Sequence, residues 1–221
     1  MTRTRLTLSL SVLIALSSPL AFADEGISKV NGSINVEASQ RQGDLDTVNG
    51  SIKIGDSARV GKAETVNGSI NVGNSSQTGG LETVNGSIRA GTNLTANGGI
   101  ETVNGSIFVD RGGTVRGDLE TVNGAIGLVD TDVTGGIETV NGDLTVGVDS
   151  HVSGGIRYTK PNGIQLLKQR DPRVIIGPNA RVDGALVFER EVKLYVHSTA
   201  KTGPIRGATA IAFNTATPPT E

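Results

Sequence analysis

The sequence predicts an all-β fold: a single-stranded parallel β-helix, in the form of a triangular β-solenoid with about 18 residues per coil. Three observations predict it. The unit TVNGSI recurs at a nearly constant spacing, apolar residues recur every six residues within that spacing, and glycines fall between the apolar positions. A short fixed period is the signature of one structural unit stacked on itself, each copy burying the face that its neighbour exposes.

The long period is set by the repeated unit. Complete copies start at Thr47, Thr65, Thr83 and Thr102, the variants TVNGAI and TVNGDL start at Thr121 and Thr139, and a half-copy starts at Val30. The repeated asparagines are Asn31, Asn49, Asn67, Asn85, Asn104, Asn123 and Asn141, separated by steps of 18, 18, 18, 19, 19 and 18 residues. Two one-residue insertions therefore account for the longer steps.

A shorter period of six residues divides each coil into three sides. One column predicted to face inward is Ile54, Val60, Val66, Val72, Val84, Ala90, Val109, Val115, Leu128, Val140, Val146, Val152 and Tyr158, with Thr78 and Thr134 filling two further slots. A second column, two residues earlier, is Ile52, Ala58, Ile70, Ile88, Leu94, Ile100 and Ile107. Two inward positions separated by an outward one are strand alternation, and parallel strands of successive coils pair at about 4.8 Å.

Glycines follow the sides and are expected to form the corners, through positive φ or close backbone approach. They are Gly55, Gly61, Gly73, Gly91, Gly117, Gly135, Gly147 and Gly154. The stacked asparagines are expected to form a hydrogen-bonded ladder. The serines and threonines of the repeat are expected to form ladders on the outer face of the strands.

An acidic column precedes the Thr-Val pairs. Its members are Asp46, Glu64, Glu82, Glu101, Glu120 and Glu138. Carboxylates about 4.8 Å apart repel by about 0.9 kcal/mol per neighbouring pair in water. The favoured interpretation is that they splay into solvent near a corner, and cation binding or a basic partner stays open.

The chain divides into five segments. Residues 1–23 resemble a signal peptide, with a basic start, an apolar run and the cleavage pattern Ala21-Phe22-Ala23. Residues 24–158 form the repeat solenoid, 159–173 an irregular basic loop, 174–206 hexad coils of the same solenoid, and 207–221 a tail expected to be disordered. The resumed hexads are Val174, Ala180, Leu186 and Val192, with Ile176, Val182, Phe188, Leu194 and Ala200. About nine coils, and a rod of about 45 Å, follow.

Composition restricts location and partners. A cleaved signal peptide implies export to the periplasm or outside the cell, and no stretch after it is apolar enough to span a membrane. The absence of cysteine excludes disulfides, cysteine metal sites and a lipidated cysteine. Residues 24–156 carry 8 basic and 17 acidic side chains and residues 157–221 carry 10 and 5. An acidic body with five aromatic residues after position 23 does not fit nucleic-acid binding.

No residue is assigned a catalytic, cofactor-binding or metal-binding role, and the chain is predicted not to be an enzyme. Solenoid acyltransferases with hexad repeats rely on a histidine, and only His151 and His197 are available, both in strand-like context. Solenoid enzymes that cleave polysaccharides need clustered carboxylates in a cleft built by long loops, and the repeats leave no room for such loops. Any site-specific chemistry is expected where the repeat fails, between Arg157 and Arg173.

The ETVNGSI units, as at Glu64–Ile70 and Glu101–Ile107, resemble a bacterial adhesin-like family, a domain of unknown function built from β-strand repeats. This resemblance covers about residues 30–158. The stretch Ile175–Glu189 is similar to the hexad coils of bactofilins, the polymer-forming cytoskeletal proteins. The bactofilin fold implies a right-handed solenoid, which the hexads alone leave open. The signal peptide departs from the bactofilin pattern, since those proteins work on the cytoplasmic side.

Two functional hypotheses follow, with a third of lower rank. The first is an exported, non-enzymatic scaffold, adhesin-like, that binds the envelope, matrix or a protein partner. The second is a self-assembling structural protein that polymerises through the ends of the solenoid, where strand edges are unpaired. The third is a carbohydrate-binding or carbohydrate-cleaving β-helix.

Overall fold

The computed structural model describes residues 25–160 and 170–219, and this part of the chain is all-β. Three sheets of parallel strands form the sides of a solenoid of about ten turns. Each coil contributes one strand to each sheet in turn, and the strand of the next coil pairs with it about 18 residues later, as Leu81 pairs with Ile100 and Leu45 with Ala63. The predicted fold class is confirmed.

We name the sheets A, B and C in the order in which the chain visits them. Sheet A comprises Ile27–Asn31, Leu45–Asn49, Ala63–Asn67, Leu81–Asn85, Ile100–Asn104, Leu119–Asn123, Ile137–Asn141, Ile156–Tyr158, Leu186–Phe188 and Ile205–Arg206. Sheet B comprises Ile34–Val36, Ile52–Ile54, Ile70–Val72, Ile88–Ala90, Ile107–Val109, Ile126–Leu128, Leu144–Val146, Arg173–Ile176, Lys193–His197 and Ala210–Phe213. Sheet C comprises Arg41–Gln42, Arg59–Val60, Gln77–Thr78, Thr95–Ala96, Gly113–Val115, Thr131–Val133, His151–Val152, Arg181–Val182 and Lys201–Thr202.

The hydrophobic core fills the interior of the triangle. The inward column from Ile52 to Ile107 is buried throughout, as predicted, and the hexads after Val174 are buried or packed against the core. The other predicted column is wrong for the valines of sheet A, whereas Tyr158 in the same sheet is buried as predicted. Val66 and Val84 are 40% exposed, Val140 is half-buried, and the inward positions are taken by the residues on either side of the acidic column. Thr134 is also exposed, because Val133 fills its slot after the insertion.

The corner between sheets B and C uses the left-handed backbone region, but not through glycine. Its positive-φ residues are Ser39, Ser57, Ser75, Asn93, Asp130, Asp149 and Asn179, with φ between 44° and 63°, joined by Gly112 in one coil. Asn, Asp and Ser bond to nearby backbone with their short side chains, and Asn and Asp in particular tolerate this region. The predicted corner glycines serve through close backbone approach, the second of the two expected roles, since Gly55, Gly73 and Gly147 lie against the backbone of the preceding coil.

Some of the predicted segments fall wholly or partly outside the described residues. The predicted signal peptide, residues 1–23, lies outside the described residues, as do residues 161–169 of the predicted basic loop. Sheet B resumes at Arg173. The predicted disordered tail is wrong for Ala210–Phe213, which pairs with Lys193–His197 as the last strand of sheet B. Phe213 is buried there, its ring edge-on to His197 with centroids 5.0 Å apart.

Candidate interaction face

The outer face of sheet A carries two straight columns of identical chemistry. In each five-residue strand from Leu45–Asn49 to Ile137–Asn141, the first and third residues are buried and the second and fourth point outward. The second position is the acidic column. The fourth is a column of valines that are each 39–40% exposed, namely Val48, Val66, Val84, Val103 and Val122. We call these two columns, with the threonines between them, the Glu–Val face.

A shallow groove of about 720 Å³ runs along the Glu–Val face. It extends from Ser28 to Val140, and in the five coils between Asp46 and Val122 it is lined by the acidic residue, the threonine and the valine. Eight large hydrophobic residues are markedly exposed in the described chain, and six of them line this groove. Contiguous exposed apolar surface of this kind is typical of interaction sites, whereas scattered single residues are not.

The groove has a rigid floor because the threonines are buried and bonded. Thr47, Thr65, Thr83, Thr102 and Thr121 each donate the Oγ1 hydrogen to the carbonyl of a glycine in the preceding coil, at 2.8–3.2 Å. The prediction that these threonines face outward is therefore wrong. Tyr158 takes the same position two coils later and donates its hydroxyl to the carbonyl of Gly142 at 2.9 Å.

The asparagines form the predicted ladder along one edge of the face. Each Nδ2 donates to the Oδ1 of the preceding asparagine at 2.9–3.1 Å, from Asn49 on Asn31 to Asn141 on Asn123. Arg190 ends the ladder by donating to Oδ1 of Asn141 and to the carbonyl of Val140. The prediction that the serines lie on the outer face of the strands is wrong. They lie at the next corner, where their hydroxyls accept backbone N–H groups of the following coil.

The acidic column is only partly neutralised. Lys62 binds Glu64 and, at 2.6 Å, Glu82, and these two carboxylates raise the pKa of the lysine. Partial burial and the charges of Glu101, Glu138 and Asp118 raise the pKa of Glu120. Within residues 25–160 and 170–219, no group of three His, Cys, Asp or Glu side chains is arranged to hold a metal ion.

The two histidines lie in different sheets. His151 is on the outer face of sheet C, with Nε2 at 2.8 Å from Asp183 and Nδ1 at 3.9 Å from Asp132. Arg181 and His151 lower the pKa of Asp183. His197 is buried near the end of sheet B, where Nδ1 lies 2.9 Å from the hydroxyl of Thr199.

The basic stretch from Arg157 to Arg173 is tied to the solenoid at both ends. Arg157 lies 3.4 Å from Glu189. At the other end, Arg170 binds Asp143 at 2.6 Å and the backbone N–H of Arg173 donates to the same carboxylate at 2.9 Å. Burial opposes ionisation of Asp143, but these donors outweigh it and lower its pKa. The residues between, 161–169, lie outside the described part of the chain.

The other two faces of the same coils show no comparable uniformity. The outward central positions of sheet B are Lys53, Asn71, Arg89, Phe108, Gly127 and Thr145. Those of sheet C are Arg59, Gln77, Thr95, Thr114, Asp132 and His151. Exposure to solvent alone therefore does not restrict an outward position of this solenoid to one type of side chain. A carboxylate and a valine in each of six coils need a reason specific to sheet A.

Comparison of the chain with protein-family models, with curated proteins and with solved structures returns no match. Within the described residues there is also no helix long and apolar enough to cross a membrane.

Sequence reasoning located the acidic column but missed the valine column beside it. The signal was present in the alternation itself. Leu81 and Thr83 are two residues apart and share a side, so Glu82 and Val84 must share the other. Assigning valine to the interior by hydrophobicity alone overrode that pattern.

Proposed function

We propose that this protein is an exported, non-enzymatic β-solenoid scaffold of adhesin-like type, which presents the Glu–Val face to a partner in the envelope, in matrix or on a cell surface. The observation that carries the proposal is the uniformity of that face over six coils. A catalytic site brings different side chains together at one point. A column that repeats the same two side chains instead offers many equivalent contacts, as a binding scaffold requires.

Export is tested first. Cells that express the full chain with a C-terminal tag are fractionated, and the N-terminus of the recovered protein is sequenced. The expected result is a protein that begins at Asp24 and is found outside the cytoplasm. Recovery of the uncleaved chain from the cytoplasm alone contradicts export.

The non-enzymatic character is tested on the mature protein, residues 24–221. Incubation with a panel of bacterial and host polysaccharides is expected to release no new reducing ends and to attach no acyl group. Turnover that is abolished by His151→Ala, or by Glu120→Gln, would overturn the scaffold proposal in favour of an enzyme.

A second candidate is self-assembly into a polymer, and the ends of the solenoid favour it. Among the described residues, the first strands of the three sheets and the last ones each have one edge without a sheet neighbour. Ile211, in the last strand of sheet B, is 46% exposed. Unpaired strand edges invite addition of another chain, and the acidic body and basic C-terminal part have opposite net charge.

Negative-stain microscopy and light scattering of the mature protein, at low and moderate salt, separate the two candidates. Filaments one solenoid wide that shorten as salt rises support polymerisation, because salt screens the attraction between unlike ends. Monomers at every protein concentration exclude it and leave the scaffold proposal in place.

A further inference from the structure

We infer that the Glu–Val face binds a basic amphipathic helix of a protein partner, laid along the solenoid axis with its apolar stripe on the valines and its lysines or arginines on the carboxylates. The inference rests on the proposed scaffold function and names the partner of its face. Three features of the face carry it: apolar exposure, charge and repeat distance.

The valine column provides the contact area. Val66, Val84, Val103 and Val122 are consecutive, equally exposed and β-branched, so they form a stiff, continuous apolar strip. Each retains roughly two-fifths of its surface for a partner to cover. Their backbone is fixed on the inner side by the bonded threonines, so binding orders little additional structure.

The charge beside the strip selects a cationic occupant. Six carboxylates form a column parallel to the valines. Within the described residues, the ion pairs made by this column involve one cation, Lys62, which binds Glu64 and Glu82. Partial burial, and after it the charges of neighbouring carboxylates, raises the pKa of Glu120, and a cation placed beside it would offset the charge of those neighbours. An anionic membrane or a nucleic acid would instead add negative charge to the same strip.

A second copy of this chain is a poor match for the whole face. If two faces overlap fully about an axis parallel to the solenoids, every carboxylate column lies on a valine column. If the axis is perpendicular to the solenoids and lies in the plane of the faces, valines meet valines but carboxylates meet carboxylates. Both arrangements bury unpaired negative charge, which is costly. A different chain that carries basic residues avoids both.

The repeat distance favours a helix over an extended segment lying along the axis. Successive rungs are about 4.8 Å apart, so six rungs span about 24 Å. A helix advances about 5.4 Å per turn, and about 16 residues cover the span. An extended strand repeats its side-chain direction only every ~6.7 Å and loses register after one or two rungs.

The test uses a fluorescently labelled 18-residue peptide of leucine and lysine, designed as a helix with one apolar stripe and lysines on both flanks, and the mature protein at about 50 mM salt. Saturable binding by anisotropy is expected. A scrambled peptide of the same composition, with no apolar stripe, should bind at least about tenfold more weakly, since it covers few valines at once. A leucine–glutamate version of the helix should not bind.

Variants of the protein locate the site. The triple change Glu82→Gln, Glu101→Gln and Glu120→Gln is expected to weaken binding about tenfold, because it removes three exposed charge pairs. A charge-matched control, Glu25→Gln, Glu37→Gln and Glu191→Gln, alters three acidic residues away from the face and should change affinity less than about twofold. Val103→Thr should weaken binding several-fold, whereas Val148→Thr should not, although Val148 is equally exposed.

The inference is overturned if the helical and scrambled peptides bind alike, or if both glutamine triples weaken binding equally, since either result means unspecific charge attraction. It is also overturned if the mature protein forms a dimer that Val103→Thr dissociates, since a second copy then occupies the face. Absence of peptide binding rejects the basic helix and leaves the scaffold proposal to its own tests of export and turnover.

Discussion

Each letter of the repeated unit has a separate structural role. Threonine points inward and bonds the preceding coil, valine points outward, and asparagine joins the amide ladder, as Thr102, Val103 and Asn104 illustrate. Glycine permits close approach of two coils, and serine accepts an N–H at the corner, as at Gly105 and Ser106. The repeat is therefore stabilised by many contacts between neighbouring coils, each of modest strength.

Gly105→Ala is predicted to destabilise the protein by about 2 kcal/mol or more, as expected when closely packed backbone must shift. A Cβ at this position would collide with the carbonyl oxygen of Gly86, which belongs to backbone and cannot move aside as a side chain would. Gly80→Ala is the matched control, since its Cβ would meet no atom closer than 3.5 Å. Urea denaturation of both variants measures the difference, and equal midpoints would show that close approach is not the constraint.

Thr102→Val is predicted to destabilise the protein, whereas Thr139→Val is not. The Thr102 hydroxyl is bonded to the carbonyl of Gly86 at 3.0 Å, so its loss should cost about 1 kcal/mol. The equivalent hydroxyl of Thr139 is buried without a partner, and replacing it with a methyl group should be neutral or stabilising. Thermal unfolding of both variants decides. A loss of stability in Thr139→Val would mean that its hydroxyl is bonded after all.

At the scale of the strand, sequence and structure agree on the period and disagree on its phase in sheet A. Within the TVNGSI repeats, the strands of sheets B and C have two or three residues, and inward residues such as Ile88 and Ala90 are clearly apolar. In sheet A the inward residue after Leu81 could be Thr83 or Val84. Hydrophobicity alone favours Val84, but Thr83 is the buried residue. Thr83 is accommodated inside because its hydroxyl donates to the carbonyl of Gly68 in the preceding coil. This contact forms only when the coils stack, so the sequence of one coil does not reveal it.

The ends of the columns were equally beyond sequence reasoning. Arg190 follows the last asparagine by 49 residues, and Asp143 binds Arg173 across 30 residues that include the segment 161–169. No periodic pattern connects such positions. The ring of Phe188 stacks beyond that of Tyr158, with centroids 5.6 Å apart, and so continues the interior where the threonines end.

The acidic column of sheet A makes stability depend on pH with a definite sign. The pKa of Glu120 is raised in the folded protein above its ordinary value of 4.5, so the folded state binds this proton more tightly than the unfolded chain. Its contribution therefore becomes more unfavourable as pH rises from that value through the raised one, and it is absent at lower pH. Glu120→Gln should thus stabilise the protein at pH 7, by less than about 1 kcal/mol, and have no effect near pH 3.

Glu37→Gln is the control for this pH dependence, because it removes one acidic residue at the corner after sheet B. Thermal unfolding from pH 3 to pH 8 gives the midpoints of the wild type and both variants. Destabilisation by Glu120→Gln at pH 7, or an effect that does not change with pH, would contradict the prediction.

At the scale of the whole molecule, the solenoid is a one-dimensional stack. Strands pair only with those of adjacent coils, from Ile27–Asn31 at one end of sheet A to Ile205–Arg206 at the other. Stability is then approximately the sum of individual coils and the interfaces between neighbours. The same organisation makes the Glu–Val face extensible, since its length in coils sets how long a partner helix it accommodates.

Removal of one complete coil is therefore predicted to be tolerated. Deleting residues 65–82 joins Glu64 to Thr83 and preserves the order of sheets A, B and C. The shortened protein should keep its β-sheet circular dichroism, unfold cooperatively at a modestly lower temperature, and be about 4.8 Å shorter by small-angle X-ray scattering.

Deleting 65–73 instead removes most of one strand of sheet A together with Ile70–Val72 of sheet B, so that coil cannot close its triangle and the protein should unfold or aggregate. If both deletions lower stability equally, the coil is not the cooperative unit. If the complete-coil deletion folds but binds the 18-residue helix less tightly, the length of the Glu–Val face itself determines affinity.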